Sequence, residues 1–215
     1  MNWIKLINKN IHSEDSKHVH SPEEEAKLFS TFDGGSTEID VLSFFHNLVH
    51  VLKPLLVLET GTLYGYASIA IGSALEENGR GKLITLENES KAFNTAKENI
   101  TKCKLENYVE VIHLDSLEYI KNLDEDVKFD FTFFDSATEI RTIEFYRLQE
   151  KGALTNLVAF HDTSRIREKT FKTNCQDKYV KELDDIEKKY CKGNIEFYLS
   201  RGFRLMQLKK ENIDG

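Results

Sequence analysis

The sequence predicts an α/β fold, a doubly wound and mostly parallel sheet with an N-terminal helical extension and a C-terminal β-hairpin. Three observations predict it. A short apolar run, Leu55 to Leu58, passes through Gly61 and Gly65 into a helical pattern of Ala67, Ile69, Ala70 and Ala74. Short apolar strands then alternate with helical segments, which implies βα units and a parallel sheet. Four of the strands close on an acid, Glu59, Glu87, Asp115 and Asp135, and sheets of this kind bind ligands at the carboxyl ends of their strands. A single acid there is usually a helix cap. Four in register read as one cleft.

The elements follow in order. Residues 1–35 form a polar N-terminal extension in which SPEEEAKLF, from Ser21, reads as a helix start with proline at its first position. Asp33-Gly34-Gly35 makes a turn, and Ser36 or Thr37 can cap a helix that carries Ile39, Leu42, Phe45, Leu48, Val49 and Leu52 at helical spacing. That helix ends near Lys53-Pro54, where the first strand begins. After the glycine loop a helix runs from Tyr64 to Glu77, and Asn78-Gly79-Arg80-Gly81 turns into a second strand, Lys82 to Leu86, ending at Glu87. Lys91 to Thr101 is helical, and the third strand, Val109 to Leu114, ends at Asp115-Ser116, which can cap the helix of Leu117 to Leu123. Phe129 to Phe134 is the fourth strand, Thr138 to Glu150 the next helix, and Leu157 to Phe160 a fifth strand ending at His161-Asp162.

From Arg165 the pattern breaks. Residues 165–193 read as a charged helical insertion, with Val180, Leu183, Ile186 and Tyr190 on one face of its middle. It is either a solvated surface helix or a lid or homodimer element. Ile195 to Leu199, Ser200-Arg201-Gly202 and Phe203 to Leu208 then read as the closing hairpin. Residues 36–215 are expected to form a single domain.

Composition narrows the function. The 215 residues carry a formal net charge of −7 and a pI near 5.6, so the broad basic footprint of a nucleic-acid binder is missing. No apolar run is long enough to span a membrane, and MNWIKLINKN lacks a signal-peptide core. Cys103, Cys175 and Cys191 are odd in number and widely spaced. They read as free thiols of a cytoplasmic protein.

The glycine loop decides the cofactor. A dinucleotide fingerprint has glycine at the position of Glu59, because a pyrophosphate must lie against bare backbone. A carboxylate there repels phosphate and suits a ligand carrying an ammonium, such as the methionine part of S-adenosylmethionine. The run LVLETGTLYGYAS, Leu56 to Ser68, resembles the first motif of class I S-adenosylmethionine-dependent methyltransferases, whose fold is Rossmann-like. Within that family it looks most like small-molecule O-methyltransferases of the catechol and caffeoyl-coenzyme A type and their bacterial relatives. The resemblance extends over about Val41 to Lys209.

It implies roles residue by residue. Glu59, Gly61, Thr62 and Gly65 would wall the methionine end of the cofactor, with Tyr66 and Ser68 beside it. Tyr64 and Tyr66 either offer a π face to the sulfonium or are packing residues. Glu87 would accept both ribose hydroxyls through its two oxygens, and Asp115-Ser116 would contact the adenine while also capping the next helix. Asp135 would border the cofactor site.

The segment FFDSA, from Phe133, is similar to one whose aspartate binds Mg²⁺ in metal-dependent members. Those members carry an acidic pair or Asp-Asn where this chain has His161-Asp162. Histidine is a poor ligand for a hard ion and tilts a site of Asp135, His161 and Asp162 toward Mn²⁺, Fe²⁺ or Zn²⁺. The metal-free alternative makes His161 a general base, oriented by Asp135 or Asp162. Both remain open, as does a plain turn at Asp162-Thr163-Ser164. The Pro-Pro motif of amino-group methyltransferases and a nucleophilic cysteine are both missing at the fourth strand. His46 and His50 share a helix face at metal-binding spacing but read as packing or surface residues, and His18-Val19-His20 lies in a stretch that either contacts substrate or is a mobile tail.

The expected function is transfer of a methyl group from S-adenosylmethionine to a small-molecule oxygen acceptor. The alternatives are a non-catalytic S-adenosylmethionine-binding regulator of the same fold and an NAD-dependent oxidoreductase, the latter opposed by Glu59.

Overall fold

The computed structural model describes residues 3–11, 31–32, 36–164, 176–197 and 201–209. The SPEEEAKLF helix start, His18 to His20, the Asp33 turn and Cys175 lie outside them. The chain is mixed α/β, mostly parallel with an antiparallel C-terminal hairpin, and divides into two units, Met1–Leu114 and Asp115–Gly215.

The first unit opens with a helix the sequence reading missed, α1 (Trp3–Asn10), which buries Trp3 and Ile7. The two stand four apart, so even this short polar segment has an apolar stripe. Trp3 meets the edge of Phe32, and Phe32 stacks on Tyr66 at 4.9 Å. Helix α2 (Ile39–Leu52) takes Glu38 as its N-cap rather than Ser36 or Thr37, and ends where Lys53 turns left-handed (φ 51°) ahead of Pro54.

Strand β1 (Leu56–Thr60) pairs in parallel with β2 (Lys82–Glu87), and β2 with β3 (Val109–His113). Glu59 belongs to β1, and the register sets it beside Thr85. Helix α3 starts two residues later than the pattern predicts, at Tyr66, and runs to Asn78. Gly65 holds φ +84° as its N-cap, a conformation a side chain would resist. The small residues of α3 let it lie buried along most of its length. Helix α4 (Ser90–Lys102) is capped by Glu89, whose carboxylate accepts the N–H groups of Lys91 and Ala92.

In the second unit, α5 (Ser116–Lys121) is capped by Asp115, as expected. Strand β4 (Phe129–Phe134) pairs in parallel with β5 (Leu154–His161). Helix α6 (Arg141–Glu150) begins three residues after the predicted Thr138, and β5 begins three residues before the predicted Leu157. Phe131, Phe133, Phe134 and Phe160 are all buried, with Phe134 stacked on Phe160 at 4.7 Å. A parallel strand covered on both faces reads as this kind of continuous apolar run.

Helix α7 (Gln176–Tyr190) buries Tyr179, Val180, Leu183 and Ile186. The charged insertion is therefore no wholly solvated helix; its apolar face is packed. Strand β6 (Cys191–Phe197) begins four residues earlier than predicted and pairs antiparallel with β7 (Phe203–Leu208), which pairs with β5. Wholly buried Arg204 crosses this hairpin to Glu196 at 2.8 Å and reaches Asp184 on α7 at 3.0 Å.

Candidate functional site

The first unit assembles the glycine loop against the end of β2. The N–H groups of Gly61 and Thr62 both donate to the Leu86 carbonyl, at 3.0 and 3.1 Å. One residue on, Glu87 points back at the loop: its Oε2 accepts the Leu63 N–H at 2.8 Å, and its Oε1 accepts the Glu89 N–H at 2.8 Å. Leu63 has φ +50°, an uncommon conformation for a β-carbon residue, held here by a charged acceptor.

Behind the loop lies a buried hydroxyl cluster. Glu59 accepts the hydroxyls of Ser68 and, at 2.7 Å, Thr85, while Thr85 bonds Thr62 at 2.5 Å between their hydroxyl oxygens. Glu59, Ser68 and Thr85 are wholly buried. Three predicted site residues, Glu59, Thr62 and Ser68, are thus brought together through Thr85, which the sequence reading missed. A buried carboxylate needs such donors. Tyr66 stacks on Phe32. His46 and His50 both face Glu77, at 3.5 and 3.6 Å. Burial lowers the His46 pKa, against the pull of Glu77.

The second unit carries the other predicted cluster. In the β4–β5 register Phe134 pairs with Phe160, so the next residue on each strand, Asp135 and His161, emerge side by side. His161 Nδ1 lies 2.9 Å from Asp135 Oδ1 and 3.8 Å from Asp162 Oδ2. The His161 side chain is wholly buried, whereas that of Asp135 is 13% exposed. Asp162 has φ +60°, a left-handed position that aspartate tolerates better than most residues.

An arginine missed by the sequence reading sits at the centre. Arg141 Nε donates to the Ser136 carbonyl at 2.7 Å, Nη1 to the His161 carbonyl at 2.7 Å and to Asp162 at 3.1 Å, and Nη2 to Asp135 at 3.0 Å. Burial opposes its charge, but Asp162, with Tyr179 and Asp135, outweighs burial and holds its pKa above the ordinary value. Arg201 takes the other oxygen of Asp162 at 2.9 Å. Helix α7 closes on the same turn: Tyr179 donates its hydroxyl to the His161 carbonyl at 2.9 Å, and Gln176 donates to the Asp162 carbonyl at 2.7 Å. Burial pushes the Tyr179 phenol up, so it stays a donor.

Asp115 and Ser116 have local partners. Asp115 Oδ1 accepts the Leu117 and Glu118 N–H groups at 3.0 and 3.1 Å, and the Ser116 hydroxyl donates to buried Glu144, which also accepts from Ser136 at 2.9 Å.

Asp135, His161 and Asp162 offer ligand atoms within 4.8 Å of one another, the layout of a metal site. The donor set does not fit one. Arg141 and Arg201 already neutralise the two aspartates. A divalent ion would add a surplus double charge, or force a buried guanidinium from its partners, and either costs several kcal/mol.

Among the described residues no helix is long and apolar enough to cross a membrane, and Cys103 and Cys191 are free, buried thiols.

Residues 58–163 match a family described as a methyltransferase domain. A catechol O-methyltransferase of Niastella koreensis is 34% identical over 116 residues, 52% of this chain and 52% of the relative. A relative from Arabidopsis thaliana whose name carries caffeoyl-CoA O-methyltransferase is 29% identical over 127 residues, 58% of this chain and 53% of its own. The chain thus spans about half the length of these curated relatives. Among solved structures, the O-methyltransferase from Bacillus cereus in complex with SAH superposes with a TM-score of 0.70 over 95% of this chain and 96% of that one, at 19% identity. At that identity the likeness shows the fold, and the doubly wound expectation holds.

Proposed function

We propose, because residues 58–163 match a methyltransferase-domain family, that this chain transfers a methyl group from S-adenosylmethionine to a hydroxyl oxygen of a small molecule. One observation carries the reading: the Glu87 carboxylate at the end of β2 lies against the glycine loop that follows β1. A two-oxygen acceptor suits a ribose diol, and the loop beside it lets backbone approach the methionine end. Each Glu87 oxygen has a second lone pair beyond its backbone partner. Names among the relatives, catechol O-methyltransferase in particular, support an oxygen acceptor. The acidic chain supports a small molecule over nucleic acid, and the free thiols support a reducing cytoplasm.

Methyl transfer is an in-line displacement in which the sulfur–methyl bond breaks as the oxygen–methyl bond forms. The sulfonium becomes a neutral thioether and the acceptor must lose its proton. Burial favours Asp135 for that proton, with His161 behind it as the residue that positions it. The alkylated oxygen is strongly acidic late in the reaction, so a weak base suffices. Asp115 and Ser116 would contact the adenine through groups beyond their present bonds.

The test is calorimetry with S-adenosylhomocysteine, followed by mass-spectrometric search for methylated products from S-adenosylmethionine and a panel of catechols, phenols and aliphatic alcohols. Cofactor binding with a methylated hydroxyl product is expected. Binding of NADH instead would overturn the reading, and cofactor binding with no product across the panel would favour a binding protein.

A further inference from the structure

We infer that Arg141 is a resident cation, filling the place of a divalent ion between Asp135 and Asp162 and making the strand-end cluster metal-independent. This goes beyond methyl transfer and stands on the cluster alone.

The three nitrogens of Arg141 reach the loop after β4 at Asp135 and Ser136 and the turn after β5 at His161 and Asp162. Tying two strand ends through their carboxylates is what a bridging ion does. Here a planar fork does it, and the geometry needs that fork, because an ammonium could not face four acceptors spread in this way. The charges agree. Among the described residues, the two guanidinium groups of Arg141 and Arg201 stand against the two carboxylates of Asp135 and Asp162. Only 4% of the Arg141 side chain is exposed, so its ion pairs are little screened by solvent.

Removing the guanidinium should therefore expose the site it replaces. Without Arg141 the trio keeps two carboxylates and an imidazole whose ligand atoms lie within 4.8 Å of one another, a donor set suited to Mn²⁺. The experiment is titration with Mn²⁺, followed by the electron paramagnetic resonance signal of the free ion, with circular dichroism as the check on folding. Wild type, Asp135→Asn, Arg141→Ala and the double variant would be compared. Wild type is expected to leave the free-ion signal intact, Arg141→Ala to take up Mn²⁺ at one ion per chain, and the double variant to lose that uptake. Stoichiometric binding by wild type that Asp135→Asn abolishes would overturn the inference, as would a folded Arg141→Ala that binds no ion. Should Arg141→Ala fail to fold, the wild-type and Asp135→Asn titrations decide alone. None of these readouts requires turnover, so failure of the methyl-transfer reading would be seen separately, in the calorimetry.

Discussion

Glu87 Oε2 accepts the backbone N–H of Leu63 at 2.8 Å, so the acid at the end of β2 holds the glycine loop in shape as well as facing it. One residue then has two duties, and replacing it should fail at both. Glu87→Ala should weaken S-adenosylhomocysteine binding tenfold to a hundredfold, the equivalent of losing a charged acceptor at about 1.5–3 kcal/mol. Glu87→Gln keeps one acceptor oxygen but turns an amide donor on either Leu63 or Glu89, and should fall between. Calorimetry on folded samples measures both. Wild-type affinity in Glu87→Ala would remove this residue from the site.

Much of each candidate cluster is legible in the sequence because it obeys a positional rule. Acids that close parallel strands are visible as acids after apolar runs, and Glu59, Glu87, Asp115 and Asp135 read that way, with His161-Asp162 following the fifth strand. What holds them is not. Thr85 looks like an ordinary strand threonine, and only the β1–β2 register shows that it stands beside Glu59. Arg141, within TEIRTIEFYRL, has the look of a solvated helix arginine. Its burial follows from two strand ends converging on it, a tertiary fact. The sequence starts β6 late because residues 191–193 read as the end of the charged insertion, whereas pairing with β7 carries the strand through an irregularity between Cys191 and Gly193.

Gly202 is the support beneath the Asp162 turn. It holds φ +80°, and a β-carbon there would fall 2.5 Å from the Ser164 nitrogen and 2.9 Å from its α-carbon. Its carbonyl accepts the Thr163 N–H at 3.2 Å, and its neighbour Arg201 holds Asp162 at 2.9 Å. Backbone cannot yield as a flexible side chain would. Gly202→Ala should therefore cost about 1–3 kcal/mol of stability, read by urea denaturation. It should reduce turnover more than S-adenosylhomocysteine affinity, since what Gly202 supports is the turn at Asp162 to Ser164. An unchanged unfolding midpoint would mean that the turn adapts.

The division of labour between Asp135 and His161 gives the last prediction. The sequence offers His161 as the base in its metal-free alternative; the exposures favour the reverse order, because the imidazole is wholly buried while Asp135 is 13% exposed. Asp135→Ala would leave both the Arg141 guanidinium and His161 Nδ1 short of an acceptor, and several kcal/mol of destabilisation would blur the result. Asp135→Asn keeps an acceptor oxygen at nearly the same shape and loses the charge and most of the basicity. Its turnover should fall by about 10²–10⁴, with S-adenosylhomocysteine affinity held. His161→Gln can still donate an N–H to Asp135 and should keep much of the rate. His161→Phe removes that donor and should lose far more. Rescue by glutamine but not phenylalanine is the mark of a residue that positions another. If His161→Gln were instead as inactive as Asp135→Asn, the imidazole itself would be the base, and a group now walled from solvent would have to become accessible when the acceptor binds.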